Sequence, residues 1–122
     1  MYIPKRDQIR IPDMHDFEST SDYYATLFHE LVHSTGHAKH LNREGFAAAQ
    51  RTDVIRYSKE ELIAEMGASF LCALTGIENS EITNNAASYI QSWLEIFKQD
   101  KKMVVKAASK AQKAVDYITC FK

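Results

Sequence analysis

Residues 29 to 33 form an H-E-x-x-H motif, and this motif constrains the local fold more than any other part of the chain. On an α-helix, residues four apart lie on the same face. His29 and His33 could then direct their imidazole rings at one metal ion. The motif therefore predicts a helix that carries a metal site.

The residues around the motif also favour a helix. Apolar side chains recur at helical spacing, and Gly36 is a common type of helix stop. We predict a helix from about 21 to 35, and its candidate N-cap residues are Ser19, Ser21 and Asp22. Both histidines would then lie in its last two turns, which leaves room for a substrate beside the metal.

Glu30 lies next to the first histidine of the motif. A zinc ion lowers the pKa of a bound water molecule to about 7, and a nearby carboxylate can accept the proton that this water loses. The motif therefore predicts Zn²⁺ as the cofactor, His29 and His33 as ligands, and Glu30 as the general base.

Catalytic zinc usually has three protein ligands, so a third is expected elsewhere in the chain. A second helical pattern runs from about 59 to 75, with Gly76 as its stop, and it places Glu61 and Glu65 on one face. One of these residues could bind the metal while the other orients a histidine. A capping box from Ser58 to Glu61 is the alternative.

Two other side chains are candidates for the same site. His37 follows His33 by four residues and could be the third ligand if the helix continued, but Gly36 is expected to end the helix first. His37 would otherwise lie at the rim of the cleft. Tyr57 could donate a hydrogen bond to a developing oxyanion, or it could be a core residue. We expect His15 and His40 to be surface residues.

The spacing of Glu61 and Glu65 after an H-E-x-x-H helix is similar to the Glu-x-x-x-Asp pattern of gluzincin metallopeptidases. The resemblance implies that Glu61 binds zinc and that Glu65 lies behind the ligands. Glu65 replaces the usual aspartate, so its role departs from the family pattern.

A longer ordered set of residues resembles the metallopeptidase domain of ArdC-type antirestriction proteins. The set covers nearly the whole chain: Tyr2, Pro4, Asp7, Ile9, Ile11, Pro12, Phe17, Tyr23, Tyr24, His29 to His33, Thr35 to His37, Leu41, Arg43, Tyr57, Glu60 to Leu62, Ala64, Glu65, Ala87, Tyr89, Ile90, Ser92 to Leu94, Ala111, Ala114 and Asp116 to Ile118. Full-length members of that family carry an N-terminal domain that binds single-stranded DNA. No counterpart of that domain is found in these 122 residues.

The resemblance therefore implies that residues 1–122 are a single zincin-like metallopeptidase domain. The chain would be either a separated part of a longer protein or a stand-alone relative. In both cases DNA would be bound only through another domain or chain. The net charge of −1 agrees, since high-affinity contact with nucleic acid requires an excess of Lys and Arg.

Composition bounds the setting of the protein. No apolar run approaches the roughly 20 residues that span a bilayer, and the N-terminal residues do not form a signal peptide. Cys72 and Cys120 do not form a disulfide framework, so we predict two reduced thiols in a cytoplasmic protein that has no membrane partner.

The remaining segments complete a mainly helical α+β fold. Residues 2 to 12 predict an edge strand or hairpin, a short helix is expected near 44 to 50, and two further helices are expected around 90 to 97 and over 101 to 119. The last helix is expected to bury one apolar row and to leave its lysines in solvent. That row consists of Val104, Ala108, Ala111, Val115 and Ile118.

The combined prediction is a zinc metallopeptidase that hydrolyses peptide bonds in a protein or peptide substrate. The alternative, from another functional class, is a metal-bound interaction module that protects DNA from restriction by binding, without proteolysis. The motif favours hydrolysis because a purely structural metal site has no need of a base beside the metal.

Overall fold

The computed structural model describes residues 1–43, 54–77, 87 and 90–120, without the side chains of 54 and 55. A small hairpin precedes the helices, which confirms the predicted mainly helical α+β class. The elements are β1 (Tyr2–Ile3), β2 (Gln8–Ile9), α1 (Thr20–Thr35), α2 (Val54–Thr75), α3 (Ile90–Gln99) and α4 (Met103–Thr119). The helix expected near 44 to 50 lies outside the described residues.

The two strands form the predicted hairpin. Tyr2 pairs with Ile9 in an antiparallel ladder, and a 3₁₀ turn over Pro4–Arg6 joins the strands. Asp7 ends that turn in the left-handed conformation, with φ of 48°. Both strands contact α1. The hairpin therefore lies against the helix that carries the H-E-x-x-H motif.

Helix α1 has nearly the predicted bounds. Of the three candidate caps, Ser19 is the N-cap, because its hydroxyl accepts a hydrogen bond from the Asp22 amide at 3.1 Å. The helix ends at Thr35, and Gly36 follows it with a right-handed φ of −74°. The next segment folds back on this end, since the Leu41 amide donates to the Thr35 carbonyl at 2.9 Å.

Helix α2 begins at Val54, earlier than the predicted start near 59. Ser58 is therefore inside the helix and buried, so the capping-box alternative is wrong. The other end matches the prediction: Gly76 has a φ of 74°, and the Ile77 amide donates to the Cys72 carbonyl at 3.0 Å. This is a Schellman C-cap. Because Ser58 is not an N-cap, Glu61 does not fold back onto it and can face α1.

The main core lies where α1, α2 and α4 meet, with Ile96 of α3 at its margin. Helix α4 is rotated relative to the prediction, because Val104 is 41% exposed. The buried face of α4 consists mainly of small side chains. The buried residues of α4 are Met103, Ala107, Ala111, Ala114 and Val115.

Among the described residues, no helix has both the length and the apolar character needed to cross a bilayer. Cys72 is buried and Cys120 is exposed, and both are free thiols, as predicted.

Gly67 lets α2 pack tightly against α1. A Cβ atom at this position would lie 2.7 Å from Cγ2 and 2.9 Å from Cγ1 of Val32, which is fully buried. These distances are too short for atoms that are not bonded, and the branched Val32 side chain has little freedom to move away. Gly67 therefore sets the distance between the two helices that carry the predicted metal ligands.

We expect Gly67→Ala to destabilise the protein by about 1 to 2 kcal/mol, because overpacking exceeds the gain in helix propensity. Denaturant unfolding would measure the loss. The matched background is Val32→Ala, in which the same Gly67→Ala change should be neutral or stabilising. An equal loss in both backgrounds would contradict the close-approach explanation.

Candidate metal centre

Two packed helices bring the predicted ligands together. Helix α1 supplies His29 and His33, and α2 supplies Glu61. One donor atom of each residue lies within 4.8 Å of the others. The spacing of the motif explains the two histidines, whereas Glu61 reaches them only because α2 packs across α1.

The donor atoms face one another at short range. Nε2 of His29 lies 3.0 Å from Nε2 of His33. The two oxygens of Glu61 divide between the rings, at 3.1 Å from Nε2 of His29 and 2.9 Å from Nε2 of His33. Both imidazoles therefore direct the same type of nitrogen at one carboxylate.

The other ring nitrogens face acidic residues behind the site. Nδ1 of His33 lies 2.9 Å from Oε2 of Glu60, and Nδ1 of His29 lies 2.9 Å from Oε1 of Glu65. The second contact is short but poorly directed, since neither atom makes a well-aligned hydrogen bond. A carboxylate at Nδ1 favours the tautomer that leaves Nε2 free to bind a metal.

Arg43 holds Glu60 in place. Its Nε and Nη2 donate to the two carboxylate oxygens of Glu60, each at 2.8 Å. The same guanidinium donates to the Thr35 hydroxyl at 2.9 Å and to the Val32 carbonyl at 3.2 Å. Arg43 thus joins the end of α1 to α2, directly behind His33.

The charges of these buried groups fit a divalent cation. Glu60, Glu61, Glu65 and Arg43 are all buried, and their formal charges sum to −2. With Nδ1 of each ring facing a carboxylate, the two Nε2 lone pairs and the Glu61 carboxylate converge as three acceptors. A divalent ion would satisfy all three acceptors and balance the charge.

The pKa values of the two histidines also indicate that the acidic groups of the site favour a positive charge there. Burial alone would lower the pKa of His29, but Glu61 and Glu65 outweigh burial and raise it to about 9. Burial likewise opposes the charged form of His33, whereas Glu60 and Glu61 raise its pKa to about 10. Burial would raise the pKa of Glu61, yet the two histidines hold it below its ordinary value.

Glu30 lies outside the three-residue donor group found among the described residues. Its Oε2 accepts a hydrogen bond from the Tyr2 amide at 2.7 Å, and its side chain is 17% exposed. The hairpin therefore holds one oxygen of this carboxylate, which follows His29 directly in α1.

The two other predicted candidates are not members of the donor group found among the described residues. His37 follows the end of α1, and its Nδ1 accepts a hydrogen bond from the Lys39 amide at 3.0 Å. Tyr57 is half-buried on α2, one turn before Glu61. His15 is exposed, as predicted, whereas His40 is a half-buried residue with two hydrogen-bond partners.

Sequence reasoning missed the roles of Glu60 and Arg43. Glu60 carried one signal, since a helix that starts before residue 58 places it next to Glu61 on a neighbouring face. Arg43 had no local signal, because its partner lies 17 positions away in the sequence.

Comparisons with known proteins agree with this geometry. A family model described as zincin-like metallopeptidase matches residues 1–110. The crystal structure of the Mn(II)-bound antirestriction ArdC protein from the R388 plasmid has a TM-score of 0.84 and 43% sequence identity, over 97% of this chain and 42% of that chain. The metal-free structure of that protein has a TM-score of 0.81 and 41% identity, over 97% of this chain and 41% of that one.

Two curated relatives are also similar over nearly the whole chain. DNA primase TraC of Escherichia coli is 36% identical over 98% of this chain, and uncharacterized protein y4eC of Sinorhizobium fredii is 32% identical over 96% of it. The match covers 11% of the primase and 37% of y4eC. The chain thus spans less than half of these relatives.

Proposed function

The chain belongs to the zincin-like metallopeptidase family, and from this and its similarity to a plasmid antirestriction protein we propose that it is a zinc-dependent peptidase domain of an antirestriction-type protein from a mobile element. The observation that carries the proposal is the convergence of His29, His33 and Glu61. Peptide hydrolysis is the reaction that this donor set, with a neighbouring glutamate, supports best.

Zinc fits the donor set better than manganese. Two imidazole nitrogens and one carboxylate make up one of the ligand sets found in catalytic zinc sites, whereas manganese prefers oxygen ligands. Zinc also binds such sites more tightly than manganese. A bound zinc ion would supply a Lewis acid and would make water a nucleophile at neutral pH.

Glu30 would move the proton. Its Oε2 accepts a hydrogen bond from the Tyr2 amide, and its Oε1, which lies 3.9 Å from the N-terminal amino group of Met1, would accept a proton from the attacking water. The same atom would then donate that proton to the departing amine nitrogen. His29 and His33 stay fixed meanwhile, because Glu65 and Glu60 hold their Nδ1 atoms.

The biological setting is part of the proposal. We propose that residues 1–122 form one zincin-like domain of a cytoplasmic protein, in which DNA would be bound only through another domain or chain. The substrate would be a protein or peptide. The similarity to an antirestriction protein and to a DNA primase supports this setting.

A second candidate function is a metal-bound interaction module that acts without proteolysis. The observation in its favour is that a similar protein of known structure is named for antirestriction rather than for hydrolysis. The metal centre would then stabilise a binding surface.

Metal removal and reloading tests the proposal. The protein would be stripped with a chelator, reloaded with Zn²⁺ or Mn²⁺, and incubated with a mixed peptide library read by mass spectrometry. We expect cleavage after zinc loading and none in the stripped protein, and zinc should displace manganese in competition. Equal cleavage with and without metal would rule out a metallopeptidase.

A further inference from the structure

Tyr2 of the hairpin is held at both ends. Its amide donates to Oε2 of Glu30 at 2.7 Å, and its hydroxyl donates to Oδ1 of Asp7 at 2.6 Å. The residue is only 8% exposed. The Asp7 side chain, at the far end of the turn, thus anchors strand β1, whose Tyr2 amide binds Glu30.

Asp7 in turn contacts residues far along the chain. Its Oδ2 lies 2.9 Å from Nε2 of His40, and Nδ1 of His40 lies 2.8 Å from the Tyr117 hydroxyl. An ionised carboxylate only accepts hydrogen bonds, so Nε2 of His40 must donate to it. A neutral His40 can then accept the Tyr117 hydroxyl at Nδ1. These contacts join the hairpin to α4.

The protonation states agree with this direction of donation. The Tyr2 hydroxyl is the main reason that the pKa of Asp7 lies below its ordinary value, and His40 adds to the effect. Burial and the hydrogen bond to Asp7 both raise the pKa of Tyr2. Tyr2 therefore remains a donor and Asp7 remains an acceptor across the neutral pH range.

We propose that Tyr2, Asp7, His40 and Tyr117 are positioning residues that hold the Glu30 carboxylate in one orientation beside the metal centre. This inference rests on the proposed function, in which Glu30 moves the proton. A two-stranded hairpin is at best marginally stable alone, so the strand that contacts Glu30 needs anchors of this kind.

Asp7→Asn and Tyr117→Phe test the two halves of this network. Asparagine at position 7 presents only one acceptor oxygen to the Tyr2 hydroxyl and the His40 ring. Phenylalanine at position 117 removes the hydroxyl that contacts Nδ1 of His40. The matched controls are Asp13→Asn, an exposed residue near the hairpin, and Tyr24→Phe on α1. Tyr117→Phe is the milder change, and it keeps the test decisive if Asp7→Asn does not fold.

Two measurements on the zinc-loaded protein distinguish a specific effect on the position of Glu30 from a general loss of structure. Hydrogen exchange at the Tyr2 amide, followed by NMR, should be about tenfold faster in the network variants than in the controls. The value of kcat on a cleaved peptide should fall by about 10- to 100-fold, with KM and bound zinc unchanged.

An unchanged rate of hydrogen exchange at the Tyr2 amide in both network variants would overturn the inference. A fall in kcat that is accompanied by a changed KM and by loss of zinc would also overturn it. If the parent protein cleaves no peptide, the proposed function fails, yet the exchange comparison still decides whether the network holds Tyr2 against Glu30. Faster exchange in the network variants alone would support the inference in that case.

Discussion

Glu30→Gln should abolish peptide hydrolysis while zinc remains bound. Glutamine has nearly the same shape and keeps an oxygen that can accept the Tyr2 amide, but at neutral pH it cannot accept a proton. Loss of a general base typically lowers the rate by about 10²- to 10⁴-fold. The measurement is kcat on a cleaved peptide, together with metal analysis of the same sample.

The matched control is Glu18→Gln, which removes an exposed carboxylate just before α1. This variant should keep full activity. If Glu30→Gln cleaved peptide at the parent rate, Glu30 would not be the base. If a full-length relative of this kind kept its antirestriction activity with the same substitution, the interaction module would be the better account of the biological role.

The parts of the site that could be predicted are those that depend on helical periodicity. His29 and His33 are one turn apart, so a correct helix prediction is enough to place them on one face. The N-cap at Ser19 and the C-cap at Gly76 are equally local signals. The placement of Glu61 also depended on similarity to known proteins, because periodicity alone allowed a helix cap at Ser58.

The parts that could not be predicted are contacts between residues far apart in the sequence. Arg43 reaches Glu60 across 17 positions, and His40 reaches Tyr117 across 77. Each pair forms only after the end of α1 packs against another helix. A polar loop residue has the same local pattern whether it faces solvent or a buried partner, so His40 was assigned to the surface.

The second large effect that we expect is a graded loss of zinc affinity across the three glutamates of α2. Glu61 faces both Nε2 atoms, so Glu61→Ala removes a ligand. Glu60 and Glu65 face the Nδ1 atoms, so Glu60→Gln and Glu65→Gln disturb only the support of the ligands. Changes to such supporting partners typically cost about 10- to 100-fold in metal affinity.

Zinc affinity measured by competition with a chromophoric chelator would rank these variants. Glu61→Ala and His33→Ala should lose most bound zinc. In each of them the loss of zinc affinity should be larger than in Glu60→Gln or Glu65→Gln. His15→Ala, which removes an exposed histidine, should bind zinc as the parent does.

The position of Glu65 makes this ranking a sharp test of the ligand set. Its Oε1 contacts Nδ1 of His29, the ring nitrogen that points away from His33 and Glu61, so a direct bond to the same metal would require the ring to turn. If Glu65→Gln lost as much zinc as Glu61→Ala, that rearrangement would occur on metal binding and Glu65 would be the third ligand. A much smaller loss would leave Glu65 behind His29, where it sets the tautomer that binds the metal.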